Sequence, residues 1–182
     1  MVQKHFHPWH DVPFGNDAPV KVTALIEIAK GTKAKYEVDK ISGMLKLDRI
    51  LFGAMHYPAN YGFIPQTLCG DGDPLDILVL CSEPLERLTL VDAIVIGVMR
   101  MEDRDKPDDK IIAVAASDVS VNFYKSLAEL PPNFTIEMKN FFQQYTQLEG
   151  KEVRVGNFAD VETAHKIIMD NIACYRETFS HI

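Results

Sequence analysis

The chain has 182 residues, of which 47% are hydrophobic and 25% charged, ordinary values for a globular domain and far from those of disordered, collagenous or coiled-coil chains. Its 26 Asp and Glu outnumber 19 Lys and Arg, a formal charge of −7 that argues against a nucleic-acid backbone or an anionic membrane as main partner. No apolar run approaches the ~20 residues of a membrane helix, so no membrane association is expected.

The opening segment, with His5, His7 and His10 around Phe6 and Trp9, has no apolar core of a signal peptide. Its histidines could be read as a transition-metal site, but packing of Phe6 and Trp9 against a neighbouring surface is the simpler expectation. Residues 22–28 and 35–38 are short β-type runs, and Lys40-Ile41-Ser42-Gly43 supplies turn chemistry before an alternating strand over 44–51. Residues 57–62, Tyr-Pro-Ala-Asn-Tyr-Gly, read as an aromatic loop. Continuous apolar runs at 77–81, 93–100 and 111–115 suit strands buried on both faces. After Pro131-Pro132, the residues Phe134, Met138, Phe141, Phe142, Tyr145 and Leu148 recur on one helical face, with Gly150 as a stop. Asp160 then stands at an N-cap before the stripe Val161, Ala164, Ile168, Ile172, Tyr175 and Phe179. Strands followed by two helices predict a mainly β domain, a curved sheet or barrel with the helices outside it. No repeat or flexible linker divides the chain, so residues 1–182 read as one domain. Cys69, Cys81 and Cys174, odd in number and widely spaced, suit reduced thiols and a cytoplasmic location.

The stretch Asp71-Gly72-Asp73-Pro74-Leu75-Asp76 is the most informative. Carboxylates so close raise one another's pKa unless a cation neutralises them, and Gly and Pro between them favour a tight loop. Hard divalent cations such as Mg²⁺ take oxygen ligands of this kind. An EF-hand does not fit, because Asp76 stands where its Gly belongs and Ser82 where its bidentate Glu belongs. A second acidic segment, 102–110, carries Asp103, Asp105, Asp108 and Asp109 and follows another buried run. Lys35 and Glu37 share a strand face, Arg49 lies on the next strand, and Tyr57 and Tyr61 offer hydroxyl donors. Metal-holding carboxylates with Lys, Arg and Tyr donors are the parts that phosphoryl chemistry needs. The nucleotide-binding Gly-rich loop, the nucleophile elbow and the zinc-protease helix motif have no counterpart in the sequence.

These motifs resemble the family I soluble inorganic pyrophosphatases, in the compact prokaryotic size. The three-aspartate signature at 71–77 is accompanied, in the family's order, by 26–28, 35–39, 47–49, 57–62, 101–110 and 141–145, so the resemblance spans about residues 20–178. It implies an OB-like five-stranded β-barrel with two C-terminal helices. It also implies an inorganic diphosphatase that hydrolyses pyrophosphate to two phosphates with Mg²⁺, Mn²⁺, Zn²⁺ or Co²⁺ serving as substitutes. By the same resemblance Asp71, Asp76, Asp103 and Asp108 hold metals, Glu27 and Glu37 complete their outer shell, and Asp73 is the general base. Lys35, Arg49, Lys110, Tyr61 and Tyr145 would hold the phosphoryl groups, with Tyr57 supporting the rim of the catalytic site. A homo-oligomer, a hexamer, is implied too.

One departure stands out. The family's Lys after the tyrosine is Thr146 here, which implies a weaker electrostatic hold on substrate or product. Lys139 and Lys151 each lie six residues from Tyr145, about 240° round a helix, so neither would point the same way as that tyrosine. The alternatives are a metal-dependent phosphohydrolase of another phosphoanhydride or of nucleotides, and a non-catalytic OB-type binding module. The negative charge and the clustered aspartates count against the module.

Overall fold

The computed structural model describes residues 5–103, 106–150 and 153–179, so Arg104, Asp105 and Lys151 of the segments above lie outside the described residues. A four-residue helix α1 (Pro8–Asp11) precedes β1 (Lys21–Ile28), β2 (Ala34–Val38), β3 (Leu45–Ile50), β4 (Asn60–Ile64) and β5 (Leu75–Leu80). The long β6 (Leu90–Asp103), the short β7 (Lys106–Pro107), β8 (Lys110–Ala115), α2 (Pro132–Gln144), β9 (Val153–Ala159) and α3 (Val161–Thr178) complete the order.

Strand pairing closes on itself. β1 pairs with β4, β4 with β5, β5 with β8 in parallel, β8 with β6, and β6 returns to β1, which makes a five-stranded barrel of the OB-like kind. β7 and β9 extend the sheet along β6, while β2 and β3 form a separate two-stranded ribbon.

Period-two alternation explains the continuous apolar runs. Ile77 and Val79, with Ile111 and Ala113, join one core cluster shared with Ala164, Ile168 and Ile172 of α3. Leu78 and Leu80, with Ile112 and Val114, join the other, shared with Met138, Phe141 and Phe142 of α2. Both faces of these strands are therefore covered, and neither needs polar residues. α3 begins as its sequence predicts, with Asp160 Oδ1 accepting the Thr163 amide at 2.9 Å.

Two expectations are corrected. Residues 57–62 are not a loop throughout. From Asn60 the chain is a fully buried strand, and Gly62 lets it approach β1 so closely that a Cβ would meet the Leu25 carbonyl oxygen at 1.8 Å. The second helix also ends earlier than its stripe suggested. Tyr145 caps α2, the chain tightens into a turn over Gln147–Glu149, and Gly150 ends it in the left-handed region at φ 71°. Leu148 is thereby turned out to solvent at 69% exposure.

Candidate active site

A cavity of about 610 Å³ opens between the β2–β3 ribbon, the acidic loop before β5 and the β6–β8 end of the barrel. The loop is shaped by local chemistry. Cys69 donates its amide to the Asp73 carbonyl at 2.8 Å, Gly72 donates to Cys69 at 3.0 Å, and Gly72 takes φ 90°, where other residues are strained. The Asp73 amide donates to Asp71 Oδ1 at 3.0 Å, and Asp71 and Asp73 line the cavity with Asp76 of β5.

Asp103 at the end of β6 and Asp108 before β8 face the same cavity. The β6–β8 pairing carries this second acidic segment to the side of the barrel where β5 begins. Lys110, 2% exposed, places its ammonium between Asp76 and Asp108, 2.5 Å from Asp108 Oδ1. Burial works against its charge, but Asp76 and Asp108 outweigh burial and hold its pKa above the ordinary lysine value. Asp108 is pushed up to about 6, first by burial and then by Asp76, against the pull of Lys110.

Glu27 reaches the cavity through a β-bulge. In the β1–β4 register Ile26 faces Gly62 and Ile28 faces Tyr61, so Glu27 is the extra residue. It is 7% exposed and accepts the Val38 amide at 2.6 Å. Burial, only partly offset by that bond, raises its pKa to about 8. On the ribbon a second bulge makes Asp48 the extra residue, and its carboxylate accepts from Lys35 at 2.8 Å and Arg49 at 2.6 Å. Lys35 also lies 3.7 Å from Glu37, on the face predicted from their spacing.

Eleven of the thirteen residues singled out in the sequence line this cavity: Glu27, Lys35, Glu37, Tyr61, Asp71, Asp73, Asp76, Asp103, Asp108, Lys110 and Tyr145. Arg49 and Tyr57 do not. Arg49 turns its Nε to Glu149 at 2.8 Å and stands 6.0 Å from the Tyr145 ring. Tyr57 is buried behind the wall, its ring 5.6 Å from Tyr61 and 4.8 Å from Phe141. Thr146 is buried one residue beyond Tyr145. Sequence reasoning did not single out Trp9, Tyr36, Asp39 or Lys40 as cavity residues, although all four line it. Lys40 sits in what reads simply as a hairpin turn, and no pattern in the sequence marks which way its side chain points.

Among the described residues no three acidic, His or Cys side chains are grouped tightly enough to hold an ion as they stand, and the Lys110 ammonium takes the space between Asp76 and Asp108. The donor set nevertheless fits a hard divalent cation. Among the described lining residues its anionic ligands are carboxylates, without thiolate or imidazole, and burial raises the pKa of both Glu27 and Asp108, a cost that a bound cation would relieve.

The chain is similar to known proteins over nearly its whole length. A family model described as inorganic pyrophosphatase matches residues 24–176. The chain is 47% identical over 173 residues to soluble inorganic pyrophosphatase 2 of Chlamydomonas reinhardtii, covering 95% of this chain and 90% of that protein. It is 45% identical over 171 residues to the soluble inorganic pyrophosphatase of Zea mays, covering 94% and 80%. The crystal structure of inorganic pyrophosphatase from Thermus thermophilus superposes with a TM-score of 0.89 at 39% identity, over 93% of this chain and 99% of that one. With a fold and a sequence that agree over nearly their whole length, the chain belongs to the inorganic pyrophosphatase family.

Proposed function

We propose that this chain is an inorganic diphosphatase that hydrolyses pyrophosphate with water to give two orthophosphates. The observation that carries it is the meeting of Asp71, Asp73, Asp76, Asp103 and Asp108 with Lys35, Lys110, Tyr61 and Tyr145 in one cavity, from segments distant in the chain.

Asp71, Asp76, Asp103 and Asp108 would hold Mg²⁺, with Glu27 and Glu37 in the outer shell and Mn²⁺, Zn²⁺ or Co²⁺ as substitutes. When bound, such ions neutralise phosphate charge and lower the pKa of water. Asp73 takes the proton of the attacking water as general base, from a half-exposed position that a water molecule can reach. Lys35 and Lys110 hold phosphoryl oxygens electrostatically. The hydroxyls of Tyr61 and Tyr145 remain protonated, since burial raises both pKa values, and so serve as hydrogen-bond donors. Arg49 adds positive field beside Tyr145, and Tyr57 packs behind Tyr61 to keep that wall in place.

Residues 1–182 act as one domain in this scheme. We place the protein in the cytoplasm as a homohexamer without nucleic-acid or membrane partners. The free thiols of Cys69, Cys81 and Cys174 and the charge of −7 support this placement. Among the described residues no helix is long and apolar enough to cross a membrane. Exposed Leu47, Ile50, Phe52 and Leu148 supply apolar surface for assembly.

The test is phosphate release from pyrophosphate and from ATP, each with Mg²⁺ or EDTA. Turnover of pyrophosphate alone, abolished by EDTA and reduced about 100-fold or more in kcat by Asp73→Asn, is the expected result. Comparable turnover of ATP would replace it with a broader phosphoanhydride hydrolase, and an unchanged rate in Asp73→Asn would remove the base assignment.

A further inference from the structure

Among the described residues three lysines line the cavity, and two of them are fully engaged. Lys35 is paired with Asp48 and Glu37, and Lys110 lies buried between Asp76 and Asp108. Lys40 differs. It projects from the hairpin turn of the β2–β3 ribbon, which is set by Asp39 accepting from the Ser42 amide at 2.8 Å and by Gly43 at φ 68°. From there it crosses the cavity mouth to the opposite loop, donating to the Gly72 carbonyl at 3.2 Å and pairing with the Asp73 carboxylate. Lys40 and Asp73 side chains are 50% and 51% exposed.

An ion pair so exposed contributes little to stability, typically about 0–1 kcal/mol. It is therefore easily exchanged for a stronger partner. A phosphoryl group entering the cavity offers several charged oxygens to an ammonium that has three donors on a flexible stem. Among the described lining residues eight acids stand against three lysines, so few of the chain's own cations are on hand to meet a polyanion. Thr146 brings no cation from the α2 side.

We propose that Lys40 is a substrate-binding lysine that leaves Asp73 for a phosphoryl oxygen when pyrophosphate enters. The exchange adds a cation to the substrate and leaves Asp73 free to accept a proton. Lys40 thus supplies, from the ribbon, part of the positive charge missing at position 146. This role rests on the pyrophosphatase assignment above.

Lys40→Met keeps the length of the stem and removes the charge, and Lys40→Arg keeps the charge. Calorimetric binding of imidodiphosphate, a non-hydrolysable analogue, in the presence of Mg²⁺ should weaken about tenfold in Lys40→Met and stay within about twofold in Lys40→Arg. KM for pyrophosphate should rise in parallel in the Met variant, while thermal unfolding stays within about two degrees of the parent protein. Unchanged analogue affinity in a folded Lys40→Met overturns the proposal, as does equal weakening in Met and Arg. If the parent protein itself fails to hydrolyse pyrophosphate, the functional assignment fails instead, and the two failures are told apart in one set of assays.

Discussion

A carboxylate that is almost fully removed from water keeps its charge only against a solvation penalty. Glu27 is in that position, with the Val38 amide as its hydrogen-bond donor and a pKa raised to about 8. Its unfolded value is near 4.5. Between these values the folded state binds the extra proton, so folding stability falls as pH rises through the window and the penalty is complete above it. Glu27→Gln removes the charge while its side-chain oxygen still accepts the Val38 amide. In EDTA the variant should melt close to the parent at pH 5 and clearly above it at pH 8, by at most on the order of 5 kcal/mol. Equal melting temperatures at both pH values would show that Glu27 is not desolvated. The same residue that destabilises the metal-free fold is one a divalent ion would stabilise, which is the usual exchange of stability for function at a prepared site.

At the scale of elements, α1 does more than close the N-terminus. Trp9 Nε1 donates to the Thr67 carbonyl at 2.9 Å, and the Gln66 amide returns a bond to the Trp9 carbonyl at 2.9 Å. Thr67 Oγ1 in turn accepts the Leu75 amide at 2.8 Å, at the start of the strand that carries Asp76. His10 Nδ1 lies 2.7 Å from the Tyr175 hydroxyl, which ties the segment to α3 as well. The helix thus braces the stretch leading into the acidic loop from outside the barrel. Trp9→Phe keeps most of the ring contact and leaves the Thr67 carbonyl without its donor, a loss of about 1–3 kcal/mol. Hydrogen exchange should quicken at the amides of 67–75 more than in α2, and an unchanged pattern there would show that α1 does not brace the loop. Phe6 and Trp9 were expected to pack together against a neighbour. Trp9 does so, 5% exposed, whereas Phe6 is 66% exposed. Of the segment's histidines, His10 stacks on Trp9 at 4.7 Å and lies edge-on to Phe179 at 5.0 Å.

For the molecule as a whole, what could be read in advance follows from how local each signal is. The Asp71–Asp76 cluster, the Asp160 cap and the two-faced burial of β5 and β8 are written in adjacent residues and were legible. β4 was not, because a Pro-Ala-Asn-Tyr-Gly run carries turn residues whose burial depends on β1 and β5 on either side. β9 mixes half-buried and exposed residues and buries none completely, a pattern that only its pairing with β6 explains. Nor could the sequence show that Glu27 enters through a bulge or that Lys40 spans the cavity mouth, since both depend on register and on contacts across more than 30 residues. The assembled result is a cavity whose described lining places eight carboxylates against three ammonium groups in a chain already at −7. Self-repulsion of that kind is relieved by a bound divalent ion, which binds the folded chain and not the unfolded one. Mg²⁺ at about 100 times its dissociation constant should therefore stabilise the protein by about 2.7 kcal/mol. For a chain of this size that corresponds to a rise of roughly 5–10 degrees in melting temperature. NaCl at matched ionic strength gives the screening control, because screening alone does not require a site. Asp76→Asn should remove most of the Mg²⁺-specific rise. An equal rise with either salt would mean that the carboxylates repel one another without ever converging on an ion.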